Sequence, residues 1–123
     1  MSLWQRMKGS PIPPEILNRM NHVSEVDASR ARLVPVGWLP PGVDAMTIGS
    51  RIFVRRGHED SFGLLAHELV HVEQWREMGA ARFLTSYLSD YFRGRRQGLS
   101  HDEAYRAIPQ EVEARQRSSK ELS

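Results

Sequence analysis

The most constraining feature of the sequence is one helical segment with clear signals at both ends. Asp60-Ser61 offers an N-cap, and an apolar helical pattern begins at Phe62. Gly79 is a residue type that commonly follows the last turn of a helix. The sequence therefore predicts a helix that runs to Met78, with its apolar residues against the core.

The same segment contains the pattern H-E-x-x-H, formed by His67, Glu68 and His71. Two histidines four residues apart share one helix face, so both imidazoles can bind one metal ion, and neutral imidazole suits zinc. Glu68 is displaced by roughly 100° around the helix, so we expect it to act as a general base on a water rather than as a ligand. The alternative is a helix with two incidental histidines, which would be costly if they were buried and unpaired.

A catalytic zinc requires a third protein ligand, and the chain has no cysteine. Glu111 and Glu113 point about 200° apart on a helix, so only one of them can face a metal. The face of Glu111 is the less polar one, which favours Glu111 and leaves Glu113 as the alternative ligand. An ion pair with Arg115 is the alternative role of Glu111. The other candidate histidines are His22, His58 and His101.

Further candidate catalytic groups lie after the motif. Tyr87, Tyr91 and Tyr105 can each donate an O–H to a developing oxyanion, with core packing as the alternative for all three. His101 is a candidate electrophile or proton donor, with a plain surface position as its alternative.

The strand signals lie in the first half of the chain. Residues 45–48 and 51–55 flank Gly49-Ser50 and predict a β-hairpin. Residues 32–38 have a period-2 apolar pattern, and Pro35 limits such a strand to an edge position. Strands early and helices late predict an α+β domain with a short antiparallel sheet.

Helices dominate the second half of the chain. After the motif helix, the pattern predicts helices over residues 81–92 and 110–120, and a short one that begins with an S-x-x-E capping box at residues 100–103. Gly94 and Gly98 are expected to break the first of these. A short early helix is predicted over residues 14–20, preceded by a loose tail over residues 1–10.

Length, composition and charge exclude several classes of protein. A chain of 123 residues with 40% hydrophobic residues predicts a single domain over residues 1–123. No apolar run reaches the roughly 20 residues of a membrane span, and the first residues lack a signal-peptide pattern. We therefore expect a cytoplasmic protein, or one exported by a non-classical route. The net charge of +2 and one small arginine cluster at residues 93–96 disfavour nucleic-acid binding.

Several of these segments together resemble a known family. Residues 45–49 (A-M-T-I-G), 52–55 (I-F-V-R) and 64–74 (L-L-A-H-E-L-V-H-V-E-Q), with the P-P-E stretch at 13–15, resemble a bacterial family of small zincin-like domains. That family, formerly of unknown function, is associated with extracellular contractile injection systems. The E-V-E-A stretch from Glu111 is similar to the E-x-E-A segment of gluzincin-type peptidases, whose first glutamate is the third zinc ligand. Arg115 stands where those peptidases usually have an aspartate.

The resemblance implies a small sheet over the motif helix, with the final helix delivering Glu111. Together with the motif, it predicts a zinc-dependent metallopeptidase that acts on a peptide or protein substrate. In this prediction zinc binds His67, His71 and Glu111, and Glu68 activates the water. The alternative is a non-catalytic, metal-containing binding or adaptor module. Residues 52–55 are expected to pair with an extended substrate as an added strand.

Overall fold

The computed structural model describes residues 2–122, which form an α+β domain as the sequence predicts. Residues 1 and 123, the ends of the predicted domain, lie outside this range. The helices are α1 (Leu3–Lys8), α2 (Pro14–Leu17), α3 (Glu25–Arg30), α4 (Phe62–Met78), α5 (Ala80–Arg96), α6 (His101–Ala107) and α7 (Pro109–Leu122). The strands are β1 (Ser10–Pro11), β2 (Arg32–Val36), β3 (Ala45–Ile48) and β4 (Arg51–Arg55). No helix in the described part of the chain is long and apolar enough to cross a lipid bilayer.

The four strands form one sheet in the order β1-β2-β4-β3. The predicted hairpin is confirmed: β3 and β4 pair antiparallel, and Ile48 faces Arg51 across a two-residue turn in which Gly49 has a φ of 66°. The expectation of an antiparallel sheet is wrong in one respect, because β2 lies parallel to β4. Ile52 and Val54 of β4 are fully buried. Because water cannot reach the backbone there, the N–H and C=O groups of β4 bond to the strand on each side.

The position of Pro35 differs from the expected outer strand. β2 lies between β1 and β4 and is therefore not at the edge of the sheet. However, β1 pairs only with Arg32 and Leu33, so β2 has no neighbour on that side at Pro35. A proline, which lacks an amide donor, is tolerated there for this reason.

The helix α4 lies against the sheet and has the predicted bounds. Leu65, Leu69 and Val72 project from it at helical spacing into the main core, where they join the buried residues of β4. Because nine of its residues are buried, α4 is the central element of the domain rather than a surface helix.

The predicted loose tail is wrong for the described residues. Ser2 and Gln5 form a reciprocal capping box at the start of α1, which satisfies two backbone donors. Ser10–Pro11 then pairs with β2 as a strand. The predicted helix over residues 14–20 ends earlier, at Leu17.

The expected break at Gly94 is also wrong, because α5 continues to Arg96. A Cβ at Gly94 would lie 3.1 Å from the Cβ of Ala104 in α6. Glycine is therefore used here for close packing between two helices, and the chain turns only at Gly98, where φ is 92°. The capping box at Ser100 and Glu103 is present as predicted.

An ion pair that the sequence did not predict ties α3 to α4. Asp27 is fully buried and accepts hydrogen bonds from the guanidinium of Arg76, one of them to Oδ2 at 2.8 Å, and from the Ser24 hydroxyl. Arg30 lies 3.5 Å from the same carboxylate. The hydrogen bonds from Arg76, together with the charges of Arg76 and Arg30, hold the pKa of Asp27 below its ordinary value, although burial opposes them.

We expect Asp27→Asn to lower the free energy of unfolding by about 2 kcal/mol near neutral pH, because the charged hydrogen bonds are lost. Because the pKa of Asp27 is lower in the folded state, the wild-type advantage is complete above the unfolded-state pKa of about 3.9. It is lost as the pH falls through the folded-state value. Urea unfolding over that pH range measures the difference, with the exposed Glu25→Gln in the same helix as the control. A difference that stays constant in acid would contradict the assignment.

Candidate metal centre

The motif residues lie together on one face of α4. His67, Glu68 and His71 each offer a donor atom, and these atoms all lie within 4.8 Å of one another. Glu68 and His71 are buried, and His67 is partly exposed. The four-residue spacing thus brings the two imidazoles to one place, as the sequence predicts.

Glu111 reaches this pair from the other end of the chain. Its Oε1 lies 3.0 Å from Nε2 of His67, and its Oε2 lies 3.2 Å from Nε2 of His71. The helix α7 docks on α4 through a buried face that includes Ala114, and Arg117 pairs with Glu73 of α4. The less polar face of α7 is therefore the inward one, and it carries Glu111.

Glu113, the alternative ligand, lies elsewhere. Its side chain is exposed, and Oε1 accepts a hydrogen bond from Nε2 of Gln74 at 2.6 Å. The expected alternative role of Glu111, an ion pair with Arg115, is not formed among the described residues, because the Arg115 guanidinium donates to the carbonyl of Arg106. The two glutamates thus have different surroundings, although they are only two residues apart in the sequence.

Gln74 fixes the orientation of the His71 ring. Its Nε2 donates to the carbonyl of Gln110 at 3.1 Å and to Glu113, which leaves Oε1 as the acceptor that faces His71 Nδ1 at 2.8 Å. In a neutral His71 the proton is therefore on Nδ1, and Nε2 presents its lone pair toward Glu111. This partner was not predicted from the sequence, although a polar residue one turn after a ligand histidine is a signal that could have indicated it.

The donor set fits a zinc ion. Oε1 of Glu111 lies 3.0 Å from Nε2 of His67 and Oε2 lies 3.2 Å from Nε2 of His71, so the three side chains converge on one place. His71 Nε2 is buried and makes no well-directed hydrogen bond, although a carboxylate oxygen is close to it. A lone pair that faces a carboxylate is unfavourable unless a metal ion or a proton lies between them. Two imidazoles and one carboxylate are also a common donor set for catalytic zinc.

The ionisable groups of the site shift one another's pKa. Burial raises the pKa of Glu111, but the close contacts with His67 and His71 and the hydrogen bond from Tyr87 outweigh it and hold that pKa well below its usual range. Burial lowers the pKa of His71, but the contact with Glu111 raises it to above its ordinary value. Tyr87 donates its O–H to Oε2 of Glu111 at 2.8 Å, and burial together with this carboxylate raises the pKa of Tyr87.

Glu68 lies beside the histidines but has a hydrogen-bond partner of its own. Its Oε1 accepts a hydrogen bond from the hydroxyl of Thr47 in β3 at 2.8 Å. Burial raises the pKa of Glu68 above its ordinary value, against the nearby histidines and Thr47, which lower it. Glu68 is therefore a buried carboxylate with one restrained oxygen, placed beside the histidines. Thr47 has no signal in the sequence, because β3 reaches α4 only through tertiary packing.

The other candidates from the sequence separate into two groups. Tyr105 lines the same cavity as Glu68 and Glu111, and burial raises its pKa. Tyr87 lines this cavity as well. Outside it, His101 is exposed and lies 2.7 Å from the hydroxyl of Tyr91, Nε2 of His22 donates to the carbonyl of Ala66, and His58 lies in the loop before α4.

A family profile described as the eCIS core domain matches residues 11–79, which is more than half of the chain. The matched region begins at the second residue of β1, contains β2, β3, β4 and the whole of α4, and ends before α5. No curated protein and no solved structure shows significant similarity to the chain.

We expect Glu111→Gln to weaken zinc binding by more than about 100-fold, because removal of a ligand costs at least as much as loss of a supporting residue. Elemental analysis and competition with a chelator measure this effect. Glu113→Gln is the matched control on the same helix, and it should keep close to one zinc per chain. Equal zinc content in both variants would contradict the assignment of Glu111.

Proposed function

The chain belongs to the eCIS core domain family, and we propose that it is a zinc-dependent metallopeptidase. The observation that supports this proposal best is the approach of Glu111 to both histidines of the motif, with the separate buried carboxylate of Glu68 beside them. His67, His71 and Glu111 would hold the ion. Zinc, when bound, supplies Lewis acidity that lowers the pKa of a water and polarises a peptide carbonyl.

Glu68 is the general base of the proposed reaction. As the water attacks the carbonyl carbon, its proton moves to the carboxylate of Glu68, and from there to the nitrogen of the leaving amine as the C–N bond breaks. Because Thr47 binds Oε1, the carboxylate keeps one orientation, and Oε2 is the oxygen left to carry the proton.

Tyr105 is the proposed donor to the carbonyl oxygen. The hydroxyl of Tyr87 is committed to Glu111, and that of Tyr91 is committed to His101. Tyr105 lines the cavity that contains Glu68 and is partly exposed to it. Tyr87 lines this cavity as well, but its hydroxyl already donates to Glu111, so we propose Tyr105 as the donor to a substrate in the cleft.

The expected substrate-pairing strand requires correction. β4, which contains residues 52–55, is paired on both sides, by β2 and by β3, so it cannot accept an added strand. The free edge beside the site is β3, whose Thr47 contacts Glu68. We propose that an extended substrate pairs with β3. Faster hydrolysis of a peptide than of its backbone N-methylated analogue is the expected sign of this pairing.

A second candidate function is a metal-containing binding or adaptor module that cleaves nothing. The family match favours it, because the family is named for an injection system and not for a reaction. In such a module the ion would stabilise the docking of α7 on α4. In this second proposal the module binds a protein partner, either in the cytoplasm or after export by a non-classical route.

We expect Glu68→Gln to lower peptide hydrolysis by at least about 10²-fold, the contribution of a positioned general base. The variant should keep its zinc, because Glu68 is not a ligand in the proposed site. A quenched fluorescent peptide library, with elemental analysis in parallel, measures both properties. Glu77→Gln, an exposed glutamate of the same helix, is the control. Unchanged hydrolysis by Glu68→Gln would refute the mechanism and favour the adaptor function.

For Tyr105→Phe, the expected result is a kcat lower by about 10²-fold with little change in KM, because the hydroxyl acts mainly on the developing oxyanion. Tyr87→Phe should instead weaken zinc binding, since it removes a hydrogen bond to a ligand. Steady-state kinetics on zinc-loaded protein separate the two roles. The assignment of Tyr105 fails if its variant changes KM alone.

A further inference from the structure

A cavity of about 430 Å³ lies directly beside the candidate metal centre. Glu68, His71 and Glu111 lie along one part of its wall. Most of the remaining wall is apolar, and neither lysine nor arginine lines the cavity in the described part of the chain. Its volume is within the range of about 300–1,000 Å³ that is typical of small-ligand pockets, so it suits one or two side chains rather than a folded partner.

Aromatic rings form a fixed part of this wall. Trp75 and Phe83 stack with their ring centroids 4.4 Å apart, and Tyr87 stacks on Phe83 with the centroids 5.5 Å apart. Trp75 and Phe83 are buried, so this surface is preformed. Stacked rings present a flat apolar face to an incoming side chain.

Two exposed apolar edges flank the cavity on opposite elements. Met46 and Ile48 come from β3, and Leu84 and Leu88 come from α5. Leu84 and Leu88 share one helix face, and they are 46% and 50% exposed. A bound side chain would remove these surfaces from water, which is favourable by the hydrophobic effect.

The free edge of β3 indicates the form of the occupant. A peptide that adds to this edge is extended, and its alternate side chains point to the same face. A side chain directed toward α5 would then enter the cavity while the peptide backbone lies beside Glu68. The cavity therefore receives the side chain of a residue that is next to the bond to be cleaved.

We propose that this cavity is the specificity pocket of the domain, that its ligand is an extended peptide with a large aliphatic or aromatic side chain beside the scissile bond, and that Leu84 and Leu88 determine this preference. The inference rests on the proposed peptidase function. Charged side chains are excluded, because they would lose their hydration in the cavity without a counter-ion. Small side chains fill it incompletely and gain less from burial.

The test compares zinc-loaded wild type with Leu84→Gln and Leu88→Gln on peptides that differ at one position: Leu, Phe, Ala or Asp. Wild type should prefer Leu and Phe over Ala and Asp by about 10–100-fold in kcat/KM. Both variants should lower that preference by about tenfold without loss of zinc. Phe92→Gln is the matched control, because Phe92 follows on the same helix face and is similarly exposed but does not line the cavity.

Binding of the same peptides to Glu68→Gln protein, measured by fluorescence anisotropy, distinguishes the two proposals. Cleavage with no preference for Leu or Phe, or a preference that both leucine variants keep, overturns the specificity pocket and leaves the peptidase function. Binding that prefers Leu and Phe and depends on Leu84 and Leu88, without cleavage by wild type, supports the pocket and overturns the peptidase function. Neither cleavage nor binding overturns both.

Discussion

The buried carboxylate of Glu111 is the constraint on which the rest of the site depends. It lies within 3.2 Å of both imidazoles of the motif and is almost completely inaccessible to water. A charge in such a position needs a positive partner, because burial without one is strongly unfavourable. In the proposed site, a metal ion held by His67, His71 and Glu111 would meet this requirement. The docking of α7 on α4 therefore supplies the carboxylate on which the proposed metal site depends.

The groups that orient the site come from elements spread along the chain. Thr47 of β3 restrains Glu68, Gln74 of α4 fixes the ring of His71, and Tyr87 of α5 donates to Glu111. Each holds a different side chain through one hydrogen bond, on a helix or a strand rather than on a loop. Such support keeps reactive groups in place before a substrate arrives.

The elements that were predicted correctly have local signals. The bounds of α4 and the capping box at Ser100 depend on residues within one turn, and the hairpin depends on Gly49 and its neighbour. Two of the errors concern partners from different elements of the fold. Gly94 was expected to end a helix because its packing against Ala104 of the next helix is invisible in a local pattern. The parallel pairing of β2 with β4 is likewise non-local.

The spacing of His67, Glu68 and His71 already places the two histidines on one helix face with Glu68 displaced beside them, because the helical repeat fixes those angles. The sequence also favoured Glu111 over Glu113 through the polarity of one helix face. Only the tertiary structure brought Glu111, 44 residues after His67, into contact with the histidines. Only it made β3 the free edge beside the cavity. These contacts depend on how α7 and the sheet pack around α4, and no spacing along the chain encodes that packing.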